Sequence, residues 1–167
     1  FNQYASGDGL IALREQLAQQ FLKRDQLIID PLTEITITPG ATIAIFAAIQ
    51  ALIATDDEVI IFDPSYDSYA PAVQLAGGKS VHIHLEAPTF QVNWQKVKDC
   101  INAKTRMIIA NTPHNPTGAI WSEQDWHQLI ELIQDKNIVV LSDEVYEHLV
   151  FDGQKHFSAL QFPELRE

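Results

Sequence analysis

The fold of this chain is indicated most clearly by residues 106–118, which read RMIIANTPHNPTG. Four successive apolar residues predict a strand that is buried on both faces, and the polar run after them predicts a loop at its carboxyl end. The same order recurs at 58–69, EVIIFDPSYDSY, and at 138–149, IVVLSDEVYEHL. Strands of this kind are typical of parallel sheets that helices cover on both faces.

The segment before the first of these strands is predicted to be mostly helical. Apolar residues recur at spacings of three and four over 10–24, which predicts a helix with Asp8 and Gly9 as candidate cap residues. The alternating ITIT at 35–38 predicts a short strand. Residues 40–54 are rich in Ala and Ile and apolar nearly all round, which predicts a buried helix.

The remaining patterns complete an alternation of strands and helices. They predict helices at 69–75, 94–101 and 123–134 and a further strand at 80–85. About five strand candidates fall short of the eight strands of a closed α/β barrel. The predicted fold class is therefore α/β, an open three-layer αβα sandwich with a mostly parallel central sheet.

Composition and charge narrow the class of protein. The chain has 167 residues, with 22 acidic against 11 basic side chains and a formal net charge of -11. Such a chain lacks the basic face that nucleic acids and anionic lipids require, and it has no apolar run long enough to span a bilayer. Cys100 is the single cysteine, which suits a reducing compartment. We expect a cytoplasmic protein with a small-molecule ligand and neither nucleic acid nor membrane as a partner.

Functional side chains are predicted to gather at one edge of the sheet. Parallel strands share a carboxyl edge, and ligands of open α/β proteins bind outside that edge. The loops that reach it carry a helix N-terminus, an aromatic ring, carboxamides, a carboxylate and a phenol. The residues are Gly40, Ala41, Thr42, Tyr66, Asn111, Asn115, Asp143 and Tyr146.

Each of these groups has a possible task at a ligand and an ordinary structural explanation. The helix N-terminus after Gly40 offers backbone N–H groups to an anion, or Thr42 caps its own helix. Tyr66 stacks on a planar ligand or packs beside a proline. Asp143 acts as the counter-ion of a protonated ligand atom, or it caps the next helical turn. Asn115 donates to a ligand oxygen, or it begins a turn.

No metal site is predicted. His82 and His84 lie two residues apart and share one face of a strand, but a metal would need further ligands. Cys100 lies within a predicted helix and is expected to be unreactive.

Taken together, the four loops resemble the class I/II aminotransferases, fold type I enzymes that use pyridoxal 5'-phosphate. The likeness is strongest to their methionine and kynurenine–glutamine transaminase branch. It extends over essentially the whole chain, including NQYASGDGLIALREQLA near its start. The motifs that carry it are GAT at 40–42, DPSYDSY at 63–69, NTPHNPTG at 111–118 and SDEVYEHL at 142–149.

The resemblance implies a role for each candidate residue. Asp143 matches the aspartate that keeps the pyridine nitrogen of the cofactor protonated, which makes the ring a strong electron sink. Tyr4 matches a tyrosine that reaches the phosphate of a neighbouring subunit, which implies a homodimer with shared sites. The other matches are the phosphate-holding segment at Gly40, Ala41 and Thr42, the stacking ring at Tyr66, a pocket residue at Asn111, and the donors to the ring hydroxyl at Asn115 and Tyr146.

The resemblance also predicts which parts of an aminotransferase the chain lacks. The family's Schiff-base lysine is expected about ten residues beyond Glu167 by alignment from Tyr146. Lys155 lacks the family's serine- and glycine-containing context, and the arginine for the substrate carboxylate is also missing. Residues 1–167 are therefore expected to be part of a large, cofactor-binding domain, without the small domain and inactive alone.

The expected activity of the whole protein is transamination between methionine or an aromatic amino acid and a 2-oxo acid. Two alternatives stay open, and the first would share the same cofactor residues. One is a pyridoxal-phosphate-dependent C–S β-lyase. The other is a non-catalytic sensor domain fused to the DNA-binding module of a transcription regulator.

Overall fold

The structure is a computed structural model that describes Tyr4 and residues 6–166. Within those residues, no helix has both the length and the apolar character needed to cross a membrane. The chain divides into two compact units, Phe1–Ala44 and Ile45–Glu167, and each is described by itself.

The first unit contains helix α1 (Ile11–Asp25) and the first residues of α2 (Ala41–Leu52). Leu10 is the N-cap of α1 and makes no side-chain capping bond, so the prediction of Asp8 and Gly9 as caps is wrong. Gly9 has another task, because its φ of 92° favours glycine. A Cβ at Gly9 would lie 2.5 Å from the Cβ of Ile37, so this close approach excludes any larger residue.

The predicted strand at 35–38 does not form. Its backbone bonds to a loop and to a side chain instead, since Ile37 N donates to Asp8 O at 3.0 Å and Arg14 Nη1 donates to Ile35 O at 3.2 Å. The apolar face predicted for α1 is also not buried within the unit. Arg14 is the buried residue of this helix, whereas Leu13 is 45% exposed.

The second unit is built on a parallel sheet whose four strands follow the order β2-β1-β3-β4. The predicted helices at 69–75, 94–101 and 123–134 and the four predicted strands from residue 58 onward are confirmed within one or two residues. Their bounds are β1 (Glu58–Asp63), α3 (Tyr69–Leu75), β2 (Lys79–His84), α4 (Trp94–Cys100), β3 (Thr105–Asn111), α5 (Glu123–Ile133) and β4 (Val139–Asp143), followed by short 3-10 helices at Ala159–Gln161 and Pro163–Leu165.

Helices cover both faces of this sheet. Successive side chains of a strand point to opposite faces, so Val59 and Ile61 pack with α2 and α3, whereas Ile60 and Phe62 pack with α4 and α5. This arrangement confirms the predicted α/β class and the three layers around a parallel sheet.

Helix α2 is less buried than predicted. Ile45 and Ile49 face the sheet and are buried, whereas Phe46 on another side of the helix is 40% exposed. One face of a helix suffices to cover a sheet, so residues on the other sides of α2 can stay partly exposed.

Aromatic rings fill the layer between the sheet and α4 and α5. Trp121 lies edge-on to Phe62, Trp94 and Trp126, with ring centroids 5.6, 5.2 and 5.0 Å away. The indole N–H of Trp126 donates to Phe157 O at 2.9 Å, so its polar atom is satisfied inside the core. This aromatic cluster ties the segment after β4 to the sheet.

Candidate functional site

The strand order predicts a crevice at the carboxyl edge of the sheet. The chain leaves β1 toward β2 on one side and later returns to β3 on the other, so the loops after β1 and β3 diverge. Ligands of open α/β proteins bind at such a switch point. The loop after β1 carries Tyr66, the loop after β3 carries Asn115, and β4 ends beside it at Asp143.

Asp143 is the last residue of β4 and lies opposite Asn111 of β3 in the parallel register. Its Oδ2 accepts a hydrogen bond from the hydroxyl of Tyr69 at 2.5 Å. Its Oδ1 lies 3.4 Å from the backbone nitrogen of Val145, a long contact of the capping kind. One oxygen therefore serves the local turn, and the other links β4 to helix α3.

Tyr69 contacts the candidate site but is not among the residues that the motifs predict. The side chain is 2% exposed. Burial, together with the hydrogen bond to Asp143 and the charge of that carboxylate, raises the pKa of the Tyr69 phenol far above its usual value. The hydroxyl thus stays protonated and donates to Asp143 at any physiological pH. The spacing within DPSYDSY is the sequence feature that could have identified Tyr69, because it follows Tyr66 by three residues. In the structure the two rings lie edge-on, with centroids 5.6 Å apart.

Asn111 fixes the loop that follows β3. Its Nδ2 donates to the backbone oxygen of Asp143 at 2.9 Å, and its Oδ1 accepts from the backbone nitrogen of Asn115 at 2.8 Å. Both ends of this amide are therefore used within the protein. Asn111 joins the ends of β3 and β4 and sets the backbone position of Asn115.

Asn115 and Tyr146 line the same cavity, which has a volume of about 420 Å³. Leu149 and Phe151 form part of its apolar wall. Within residues 6–166, neither the side-chain amide of Asn115 nor the hydroxyl of Tyr146 has a hydrogen-bond partner. The structure thus brings together two polar groups that are available to a ligand.

The other predicted site residues lie in the first unit. Gly40 has a φ of 93° and open space where a Cβ would lie, and it directly precedes Ala41 and Thr42 at the start of α2. The Tyr4 side chain is fully exposed. The predicted residues are therefore divided, with Gly40, Ala41, Thr42 and Tyr4 in the first unit and Tyr66, Asn111, Asn115, Asp143 and Tyr146 in the second.

His114 supports the loop of Asn115 from inside. It is 6% exposed, and its Nδ1 lies 2.7 Å from the hydroxyl oxygen of Thr117. Burial lowers the pKa of His114, against the opposing effect of a hydrogen bond to the backbone of Phe62. A neutral imidazole therefore connects the end of β1 to the loop after β3.

The lowered pKa of His114 predicts a pH-dependent stability. Below the ordinary histidine pKa of 6.5, the unfolded chain binds a proton that the folded chain does not. The contribution of His114 is thus fully present above that pH and is lost as the pH falls through it toward the folded pKa. In the whole protein, we expect His114→Gln to lose less unfolding free energy than the wild type between about pH 7 and pH 5.

Urea titrations at several pH values measure this slope. His84→Gln is the matched control, because His84 is an exposed histidine of β2. His114→Gln should differ from this control in its slope, and a slope equal to that of the wild type would contradict the assignment.

Comparison with known proteins gives one consistent family. The family described as aminotransferase class I and II matches residues 1–166. Methionine aminotransferase of Escherichia coli K12 is 48% identical over 166 residues, which are 99% of this chain and 43% of that protein. The probable N-succinyldiaminopimelate aminotransferase DapC of Mycobacterium tuberculosis H37Rv is 39% identical over 168 residues, which are 99% of this chain and 42% of that protein.

Solved structures agree with these relatives. The structure of YbdL from Escherichia coli, for which a methionine aminotransferase function is described, superposes with a TM-score of 0.96 at 48% identity. The match covers 99% of this chain and 44% of that one. The structure of the N-succinyldiaminopimelate aminotransferase of Mycobacterium tuberculosis gives a TM-score of 0.88 at 40% identity, over 93% of this chain and 41% of that one. The chain thus spans about two fifths of the length of these relatives.

Proposed function

The chain belongs to the class I and II aminotransferases, and from that premise we propose that it forms part of the large, cofactor-binding domain of a pyridoxal-phosphate-dependent transaminase. The observation that carries the proposal is the set of groups at one sheet edge. Asp143 is oriented by Tyr69, and Asn115 and Tyr146 offer unpartnered polar groups to one cavity.

These side chains fit pyridoxal phosphate chemically. A pyridine nitrogen that must stay protonated needs a carboxylate, and a ring hydroxyl needs amide and phenol partners. Asp143 would hold the ring nitrogen, and Asn115 and Tyr146 would hold the ring oxygen. Tyr66 would cover the ring face, since an aromatic side chain stacks on a planar ligand.

The phosphate and the subunit arrangement complete the proposal. Backbone N–H groups at the start of α2, after Gly40, would hold the phosphate together with Ala41 and Thr42, because a helix N-terminus favours an anion. Tyr4 would reach the phosphate of a second subunit in a homodimer. We place the protein in the cytoplasm, as its acidic composition and single cysteine favour.

In this mechanism the residues of the chain would hold the cofactor and orient its ring. When bound, pyridoxal phosphate supplies an electron sink for the pair that an amino acid keeps when its α-proton leaves. Asp143 would keep the proton on the ring nitrogen by charge pairing, which preserves the strength of that sink. Tyr69 stays protonated because its pKa is raised. Its hydroxyl donates to Asp143 and orients that carboxylate, and the negative charge stays on Asp143. Proton transfer at the substrate would require the family's Schiff-base lysine.

Methionine is the first amino donor to test, with aromatic amino acids next and a 2-oxo acid as acceptor. The support is the 48% identity to the methionine aminotransferase of Escherichia coli. Relatives named for N-succinyldiaminopimelate are less similar, at 39% identity.

The test uses the whole protein with added pyridoxal phosphate. We expect an absorbance change when the cofactor binds, and transfer of the amino group from methionine to a 2-oxo acid. Pyruvate and ammonia released from cystathionine would instead identify a C–S lyase. Cofactor binding without turnover, together with a helix-turn-helix segment before Phe1, would identify a regulator. Neither binding nor product would overturn the proposal.

A further inference from the structure

A second polar cluster lies directly behind the candidate site. Glu144 follows Asp143, and its side chain is 16% exposed. Its Oε1 accepts hydrogen bonds from the hydroxyl of Ser142 at 2.7 Å and from the backbone nitrogen of Ala159 at 2.9 Å. Its Oε2 lies 2.8 Å from Nε2 of His156. The carboxylate thus binds three groups on two separate segments of the chain.

The hydrogen bonds of this cluster make it a structural clamp and not a metal site. The clamp consists of Ser142, Glu144, His156 and Ala159. Glu144, Glu147 and His156 offer ligand atoms within 4.8 Å of one another. Both oxygens of Glu144 already accept hydrogen bonds from protein donors. The carboxylate is therefore satisfied without an ion.

The contacts of the clamp determine the ionisation of Glu144 and the position of the ring proton of His156. Burial of the Glu144 carboxyl opposes ionisation, but hydrogen bonds from His156, Ser142 and Ala159 outweigh it and hold the pKa below its usual range. Nδ1 of His156 is buried and has no hydrogen-bond partner among the described residues. A proton on Nδ1 would lack an acceptor, so we assign the ring proton to Nε2, which donates to Glu144.

The clamp controls the turn that carries two candidate site residues. Asp143 precedes Glu144 in the chain, and Tyr146 follows two residues later. The turn closes on backbone bonds from Glu147 N to Glu144 O at 2.9 Å and from Leu149 N to Tyr146 O at 2.8 Å. The hydrogen bonds of the Glu144 side chain therefore fix the residue at which this turn begins.

We propose that Glu144 and His156 are positioning residues that hold Asp143 and Tyr146 in the directions that bind the pyridoxal ring. The inference rests on the proposed function, because it concerns the same cofactor. We do not propose that either residue touches the ring. Each acts through the turn, so losing either one should weaken cofactor binding and loosen the turn even in the absence of the cofactor.

The experiment uses Glu144→Gln, His156→Gln and the double variant in the whole protein. We expect each single variant to raise the dissociation constant for pyridoxal phosphate about tenfold, as the loss of a hydrogen bond to a charged group predicts. Amide exchange over residues 145–149 of the cofactor-free protein should accelerate about fivefold or more. The double variant should be no worse than Glu144→Gln, because both changes break one contact.

The matched control is Glu86→Gln. Glu86 pairs with Lys96 at 2.7 Å, and its side chain is 74% exposed, so the same chemical change is made at a surface ion pair. Both measurements in this control should stay within about twofold of the wild type.

The outcomes separate this inference from the proposed function. A wild-type protein that binds no pyridoxal phosphate overturns both. A wild type that binds it, with Glu144→Gln unchanged in affinity and exchange, overturns the inference alone. A lower melting temperature with unchanged affinity also overturns it, because the clamp would then be merely structural. If Glu144→Gln does not fold, His156→Gln decides by the same criteria.

Discussion

Replacing Asp143 with alanine in the whole protein is expected to lower kcat for amino transfer at least about 100-fold, which corresponds to about 2.7 kcal/mol in the barrier. The reason is the loss of the carboxylate that would keep the ring nitrogen of the cofactor protonated. Pyridoxal phosphate should still bind, since the contacts to its phosphate and ring hydroxyl remain. Steady-state kinetics with methionine, combined with absorbance of the bound cofactor, measure both effects.

Two further variants sharpen this prediction. Tyr69→Phe removes the donor to Oδ2 of Asp143 but leaves the carboxylate, so its kcat should fall only about fivefold, the value of one hydrogen bond of about 1 kcal/mol. Asp99→Ala removes an exposed carboxylate from α4 and should match the wild type. Near-normal turnover of Asp143→Ala would refute the role of Asp143.

The second large effect is on stability. Trp126→Ala should lower the free energy of unfolding by about 3–5 kcal/mol, the usual cost of truncating a large core aromatic residue. Trp126 is fully buried, its ring lies 5.0 Å from that of Trp121, and its loss leaves the carbonyl of Phe157 without a donor. Urea unfolding of the whole protein measures the change.

A comparison with an exposed apolar residue and with a smaller aromatic residue tests the cause of that loss. Leu75→Ala removes an apolar side chain that is 72% exposed, and its effect should stay within about 0.5 kcal/mol. Trp126→Phe keeps an aromatic ring in the core and should lie between the two. A cost of less than about 1 kcal/mol for Trp126→Ala would show that the aromatic cluster is not the centre of the core.

Three of the four strands of the sheet, β1, β3 and β4, were predictable because they contain continuous apolar runs. Apolar runs such as 107–110 are stable only when both faces of the strand are buried, and parallel order then places the polar residues that follow them at one edge. The segment at 35–38 has the same local preference for a strand, but a strand also needs a partner with free backbone groups. Here Asp8 and Arg14 take those groups, which no pattern within 35–38 reveals.

The candidate site was predictable in its motifs but not in its supports. Tyr69 and Asp143 lie 74 residues apart in the chain, and their contact exists only after folding brings the first residue of α3 to the end of β4. The bond between Glu144 and His156 has the same origin at a separation of 12 residues. Motifs identify groups that face a ligand, whereas the residues behind them depend on packing.

The order of the strands has a consequence for handling the protein. Both outer strands of the sheet, β2 and β4, have one neighbour among the described residues. The exposed residues of β2 include Lys79, His82 and His84, and such polar side chains discourage pairing with a foreign strand. The sequence of β4 is VVLSD, which is mainly apolar, and among the described residues one edge of this strand has no neighbouring strand. Preparations in which that edge of β4 is not covered by another strand should therefore self-associate through it. The solubility of a preparation thus indicates whether the edge is covered.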